Sequence, residues 1–106
     1  MLKAADLRIA RQFRQRLLEI TPIQRLVVYG SRARGDAEAE SDLDLFVELP
    51  EVTSELRSRI YDLAWEVGFA NGVVISTFIA SFQSLSNSPL AANPLLRAIE
   101  TEGIAV

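Results

Sequence analysis

The chain has 106 residues, of which 49% are hydrophobic and 24% charged, and its formal net charge is −3. This length predicts a single domain over residues 1–106, and the acidic balance argues against stable nucleic-acid binding. Cysteine and histidine are both absent, which excludes disulfides, thiol or imidazole catalysis and Cys/His zinc sites, so any metal ion must be held by oxygen.

The N-terminal region is basic and predicts neither a leader nor a membrane span. Residues 1–25 carry six basic and two acidic groups, and no apolar run approaches the roughly 20 residues that a membrane span needs. We therefore expect a cytoplasmic protein. The arginines of the first predicted helix form either a solvated surface or a basic docking face for a partner. They are Arg8, Arg11, Arg14 and Arg16.

The first half of the chain predicts one helix followed by two strands. Apolar residues recur at three- and four-residue spacing over about 3–20, which is typical of an amphipathic helix that Thr21-Pro22 then ends. A short apolar strand follows over 25–29. From Leu43 to Pro50, apolar and polar residues alternate, as in a second strand.

The second half predicts a helix over about 53–68 with Gly68 as its C-terminal cap, and a strand over 73–79. A Ser/Asn-rich loop through Pro89, a short helix over about 95–102 and a last strand over 104–106 follow. This order predicts an α/β (α+β) fold, a small mixed sheet of three to four strands covered by helices.

The stretch between the two predicted strands carries the candidate chemistry. Gly30 allows a tight turn, and a helical turn beginning there would point free N–H groups and the Ser31 hydroxyl at one spot suited to phosphate, with Arg32 and Arg34 adding positive charge. A glycine turn between two strands is the simpler interpretation.

Asp42 and Asp44 lie two residues apart on a predicted strand, so both side chains leave the same face with Cα atoms roughly 7 Å apart. Carboxylates at this spacing can hold ions that bridge phosphate oxygens, a recurring device for in-line phosphoryl displacement. The simpler alternative is a pair of solvated edge charges.

Together these positions resemble the signature of the polymerase-β-type nucleotidyltransferases, and in particular the minimal nucleotidyltransferase (MNT) branch. The residues that carry the resemblance are Gly30-Ser31, Arg34-Gly35 and Ser41-Asp42-x-Asp44. The resemblance implies a nucleotide bound by Gly30, Ser31, Arg34 and Ser41. It also implies catalytic Asp42 and Asp44 that bind Mg²⁺, and transfer of a nucleotidyl group with release of pyrophosphate.

The MNT branch includes antitoxins encoded beside helical HEPN ribonucleases, some of which attach AMP to the toxin. The resemblance thus implies an antitoxin that transfers AMP from ATP to a HEPN toxin partner. The alternatives are a non-catalytic nucleotide-binding antitoxin that acts by occlusion and, third, transfer to a small molecule. The chain could also form a homodimer.

The sequence departs from the family pattern in lacking a third carboxylate. No Asp or Glu occurs over residues 67–99, and Val74 or Ser76 stands where a later strand should supply one. Glu48 lies about 13 Å along the strand from Asp44 and is expected to be a surface charge. Three phenylalanines are predicted core residues or, alternatively, part of an interface. They are Phe69, Phe78 and Phe82.

Overall fold

The computed structural model describes residues 2–87 and 93–106, which form five helices and four strands. In chain order the elements are α1 (Ala4–Leu18), β1 (Arg25–Tyr29), α2 (Gly30–Arg34), β2 (Leu43–Leu49), α3 (Ser54–Asn71), β3 (Ile75–Ser81), α4 (Phe82–Asn87), α5 (Pro94–Glu102) and β4 (Ile104–Ala105). No helix in the described ranges is long and apolar enough to cross a membrane.

The strands form one four-stranded sheet in the order β3-β2-β1-β4. β2 pairs with β1 in antiparallel fashion and with β3 in parallel fashion, and β4 joins the other side of β1 in antiparallel fashion. The predicted mixed sheet covered by helices is therefore confirmed. Its central strand β2 carries Asp44, whose register partners are Tyr29 on β1 and Ser76 on β3.

Alternation along the strands gives the sheet two faces, and the core is divided between them. On one face the β2 leucines and Val47 pack with residues of α1 and α3, including Phe13 and Ile60. On the other face Phe46 packs with Leu96 and Ile99 of α5. Because Phe46 is fully buried, β2 is covered on both faces over this part of its length.

Two predicted boundaries were wrong around α3 and β3. Gly68 lies inside α3, and the helix ends three residues later with Gly72 as its left-handed cap at φ +69°. Gly68 is needed for packing, since a Cβ there would lie 2.6 Å from the Val73 carbonyl oxygen, where the chain turns back toward the sheet. The longer helix shifts the strand from the predicted 73–79 to Ile75–Ser81.

The predicted Ser/Asn-rich loop was also partly wrong, because β3 continues through its first two residues and α4 occupies the next six. The side-chain oxygen of Ser81 accepts from Ser84 N at 3.2 Å, which is a local N-terminal cap that starts this helix. Positions 88 and 89 of the predicted loop lie outside the described residues. The last helix begins at Pro94, capped by Asn93, whose Oδ1 accepts from Leu95 N at 2.8 Å.

Candidate active site

The predicted phosphate turn is present and lies directly against one of the predicted metal carboxylates. Gly30 begins α2 at the end of β1 with φ +76°, and a Cβ there would lie 3.3 Å from Asp44 Cγ and closer still to Oδ2. Ser31 is half-buried in the same turn, and its carbonyl accepts from Gly35 N at 2.9 Å. Gly30 therefore brings backbone and carboxylate into contact where any other residue would separate them.

Asp44 is half-buried between two neighbouring strands, and its surroundings disfavour the negative charge of its carboxylate. Burial raises the pKa of its carboxyl above the ordinary value of 3.8, and the negative charge of Asp42 raises it further. The positive charges of Arg32 and Arg34 oppose that increase. Burial and the charge of Asp44 also raise the pKa of Tyr29, the register partner on β1. The site concentrates negative charge that a bound cation would neutralise.

Asp42 is exposed and precedes the first residue of β2 by one position, so the prediction that both aspartates lie on the strand is wrong for Asp42. The loop that delivers it is held by Arg32, whose Nε and Nη2 donate to the Ser41 carbonyl at 2.9 and 2.6 Å. Nη2 also donates to the Ala39 carbonyl at 3.3 Å, and Nη1 donates to Asp6 Oδ1 at 2.8 Å. Arg32 therefore acts on the site from behind the loop and is not an exposed phosphate ligand.

The remaining predicted nucleotide contacts are near the site, with protein partners of their own. Arg34 is half-exposed and forms ion pairs with Asp36 at 3.2 Å and Glu102 at 3.0 Å. The Ser41 hydroxyl accepts from Glu38 N at 3.1 Å and so closes the loop turn. Contacts of Arg34 and Ser41 with nucleotide stay predictions.

Within the described residues, no cluster of three or more Asp, Glu, His or Cys side chains could hold a metal ion. Ser76 occupies the β3 position beside Asp44, so the neighbouring strand places a hydroxyl there and no carboxylate. Two carboxylates suffice for Mg²⁺, which usually keeps several waters and binds proteins through one or two carboxylates plus substrate phosphates. The oxygen donors of Asp42 and Asp44 therefore fit Mg²⁺ bound together with a triphosphate.

Glu48 was wrongly predicted to be a surface charge. Its side chain is only 12% exposed and pairs with Arg25 at 3.1 Å, and Arg25 in turn reaches Glu100 of α5 at 2.9 Å. The guanidinium of Arg25 also lies 5.1 Å from the centre of the Phe46 ring. Glu48 thus helps fix α5 on the sheet and takes no part in the metal site.

An aromatic stripe lies on the outer surface of α3, beside the edge strand β3. It consists of Tyr61, Trp65 and Phe69 at four-residue spacing, and the Trp65 and Phe69 rings stack at 5.1 Å with the planes 8° apart. Trp65 is 68% and Phe69 75% exposed. Together with residues 73–77 the stripe lines a groove of about 450 Å³.

The core prediction was therefore wrong for Phe69 and for Phe82, which is also exposed. Phe78 is half-buried and meets Phe46 edge to face at 5.4 Å. Sequence reasoning missed Tyr61 and Trp65, although aromatic residues at i, i+4 and i+8 on the polar side of a predicted helix are a readable signal. The aromatic stripe is a row of exposed apolar side chains, and large patches of this kind mark interaction sites.

A Gly-Ser turn at the end of one strand, with one carboxylate on its antiparallel neighbour and a second just before that strand, is the arrangement expected of a nucleotidyltransferase. The family model for the nucleotidyltransferase domain matches residues 10–87, and the chain belongs to that family. The match contains the turn, the carboxylates and the α3–β3 groove. A search of curated proteins finds no match.

Several solved structures are similar. A structure described as a minimal nucleotidyltransferase is 30% identical, with 91% of each chain covered and a TM-score of 0.53. A toxin–antitoxin complex with AMP-PNP is 20% identical over 89% of this chain and 69% of that chain, with a TM-score of 0.58. A nucleotidyltransferase from Sulfolobus solfataricus is 14% identical over 95% and 81%, with a TM-score of 0.55.

Proposed function

We propose that this chain is a cytoplasmic antitoxin that binds Mg–ATP and transfers AMP to a partner protein, a HEPN-type toxin, which it thereby neutralises. The observation that supports this proposal is the close approach of the Gly30 turn to the Asp44 carboxylate, because proposed phosphate donors and a proposed metal ligand would then act at one point. Membership of the nucleotidyltransferase family supports the chemistry.

Toxin–antitoxin relatives support the biological role. One similar structure is a toxin–antitoxin complex with AMP-PNP. Another is an MntA-HpeT toxin–antitoxin mutant in which two aspartates, two positions apart, are replaced by glutamate. The same spacing separates Asp42 and Asp44 here.

In the proposed complex, each site residue has a distinct task. Backbone N–H groups of α2 and the Ser31 hydroxyl donate to the triphosphate, and Asp42 and Asp44 hold the cation. Bound Mg²⁺ would neutralise charge on the phosphates and orient the α-phosphate for in-line attack. Arg34 is exposed enough to reach phosphate oxygens if it exchanges Asp36 or Glu102 for them.

The transfer exchanges a phosphoanhydride bond of ATP for a phosphodiester bond to the acceptor. An acceptor hydroxyl oxygen forms a bond to the α-phosphorus while the bond from that phosphorus to the bridging oxygen of the β-phosphate breaks, and pyrophosphate leaves. The hydroxyl proton passes to solvent or to a side chain of the partner. Ser76 cannot take it, since a hydroxyl is a far weaker base than a carboxylate.

The aromatic stripe supports a protein acceptor. Exposed Trp and Tyr are typical anchors of protein interfaces, and this stripe is part of a groove that reaches Ser76, the β3 neighbour of Asp44. Because α3 covers the sheet face opposite the one that Asp44 shares with Phe46, a partner seated on α3 would reach the carboxylates around the β3 edge, one strand away. The area of three aromatic side chains is smaller than a standard interface and would form only its centre.

The second candidate function is neutralisation by occlusion without chemistry. It is favoured by one specific observation, the hydroxyl of Ser76 in place of a third carboxylate. In that case the chain would neutralise its partner only by binding it through the aromatic stripe.

The test is to incubate the chain with ATP, Mg²⁺ and a HEPN ribonuclease encoded beside it, and to measure the intact mass of the ribonuclease. A gain equal to one AMP group, lost in Asp42→Asn/Asp44→Asn, is the expected result. An unchanged mass together with intact antagonism by the double variant would favour occlusion. Calorimetry with Mg–AMP-PNP separates the cases further, because the proposed transfer requires measurable binding.

A further inference from the structure

Arg32 lies beside the candidate site, and its charged side chain is largely buried. The Arg32 side chain is 10% exposed and that of its partner Asp6 is 6% exposed. Asp6 belongs to the first turn of α1, on the same helix as the core residues Phe13 and Leu17. This ion pair therefore joins the N-terminal helix to the phosphate turn.

The N–H donors of Arg32 contact both helix α1 and the loop before β2. One nitrogen binds Asp6, while Nε and Nη2 grip the carbonyl oxygen of Ser41, the residue directly before Asp42. A carbonyl held by two donors of a planar guanidinium has little freedom to rotate. The orientation of the Ser41–Asp42 peptide, and hence the direction of the Asp42 side chain, depends on where Arg32 is held.

We propose that Asp6 and Arg32 are positioning residues of the metal site, in which Asp6 fixes Arg32 and Arg32 fixes the backbone that aims Asp42 at the ion held with Asp44. The inference rests on the proposed function, since it assumes that these two carboxylates bind metal. It assigns to the first turn of α1 a role in metal affinity, although that turn supplies no ligand.

A purely stabilising role explains these contacts less well. Buried ion pairs are weak sources of net stability, because desolvation of both charges offsets their attraction. The pair of Arg16 with Glu66, by contrast, is exposed on both sides. Arg32 instead donates to the backbone of the loop before β2, at the Ala39 carbonyl and twice at the carbonyl of Ser41, the residue before a predicted ligand.

The test measures metal affinity directly, with Mn²⁺ as the probe and no nucleotide or partner present. Mn²⁺ titrations followed by electron paramagnetic resonance are made on wild type, Asp6→Asn, Arg32→Gln and Arg32→Lys, well below each melting temperature, with circular dichroism confirming the fold. Residues that orient metal ligands typically change affinity by about 10–100-fold. We expect a loss in that range for Asp6→Asn and Arg32→Gln.

Two further variants separate positioning from stability. Leu17→Ala empties core space on the same helix away from the loop, so it lowers stability but leaves Mn²⁺ affinity unchanged. Arg32→Lys keeps the charge beside Asp6 but cannot grip the Ser41 carbonyl with two donors, so its affinity falls between wild type and Arg32→Gln. Should Arg32→Gln fail to fold, Asp6→Asn and Arg32→Lys carry the comparison.

Wild-type affinity in Asp6→Asn and Arg32→Lys, or an equal loss in Leu17→Ala, overturns the positioning role while the proposed function stands. Failure of the wild-type protein to bind Mn²⁺ at all overturns the positioning role, whereas the proposed function is overturned only if Mg–AMP-PNP also fails to bind in calorimetry. A double variant, Asp6→Asn/Arg32→Gln, should lose no more affinity than Arg32→Gln alone, because both substitutions disable the same grip on Ser41. Additive losses would contradict that single chain of contacts.

Discussion

Replacing Gly30 by alanine should damage the fold and the metal site together. The residue has φ +76°, and the left-handed conformation costs a non-glycine residue about 1–2 kcal/mol. The new Cβ would also press on the Asp44 carboxylate, with Cγ 3.3 Å away and Oδ2 nearer. Because that oxygen is a predicted metal ligand, Gly30→Ala should lose Mn²⁺ affinity as well as stability.

Gly72 provides a matched control for this substitution. Its φ is +69°, close to that of Gly30, but an added Cβ would meet nothing within 4 Å. Gly72→Ala should therefore show the backbone cost alone. For a domain of this size, about 1–2 kcal/mol corresponds to a fall of roughly 4–16 °C in melting temperature. Gly30→Ala should fall further, because the steric displacement of Asp44 is added.

Thermal unfolding followed by circular dichroism, combined with Mn²⁺ titration, measures both effects. The expected result is a lower melting temperature in both variants, with metal affinity lost only in Gly30→Ala. If Gly30→Ala retains wild-type affinity and loses no more stability than Gly72→Ala, the close contact between the turn and Asp44 does not govern the site.

Three further predictions concern charge, interface and capping. Because the pKa of Asp44 is raised in the folded protein, Asp44 holds its proton more tightly there than in the unfolded chain. The metal-free protein therefore loses stability as the pH rises from about 3.8 through the raised pKa. Asp44→Asn should flatten this part of the curve of melting temperature against pH and should raise the melting temperature at neutral pH. Trp65→Ala/Phe69→Ala should weaken calorimetric binding of the partner at least tenfold with little change in melting temperature, since both side chains are mostly exposed; unchanged binding would exclude the aromatic stripe as the interface. Asn93→Ala should cost about 1 kcal/mol in urea unfolding through loss of the α5 cap, while Mn²⁺ affinity stays at the wild-type level.

The elements were predictable from sequence where the apolar period was strong. The helix before Thr21-Pro22 and the strand at 25–29 were correct because periodicity and a proline signal agree there. The end of α3 was missed because a glycine after an apolar helical pattern usually caps the helix, whereas Gly68 lies inside α3 and allows close packing. Strand order was not predictable, because pairing of β2 with both β1 and β3 depends on long-range contacts.

The residues of the candidate site could be listed from the sequence, but the contacts of Arg32 could not. A motif fixes which residues are near one another in sequence, so Gly30 and Asp44 could be placed together before the fold was known. The partnership of Asp6 with Arg32 spans 26 positions and joins different elements, and no local pattern encodes it. The burial of Glu48 was unpredictable for the same reason, since Arg25 pairs with Glu48 and with Glu100 only in the folded chain.

The central position of β2 divides the two predicted metal ligands between regions of different local stability. Asp44 lies in a strand that is hydrogen-bonded on both sides, so its amide should exchange with solvent only on global unfolding. Asp42 lies outside that ladder, at the end of a loop, and should be released by smaller, more frequent openings. Metal binding would then order the loop against a preformed half-site, and part of the binding free energy would be spent on that ordering. Affinity at this site is therefore adjustable through the loop sequence without any change to either carboxylate.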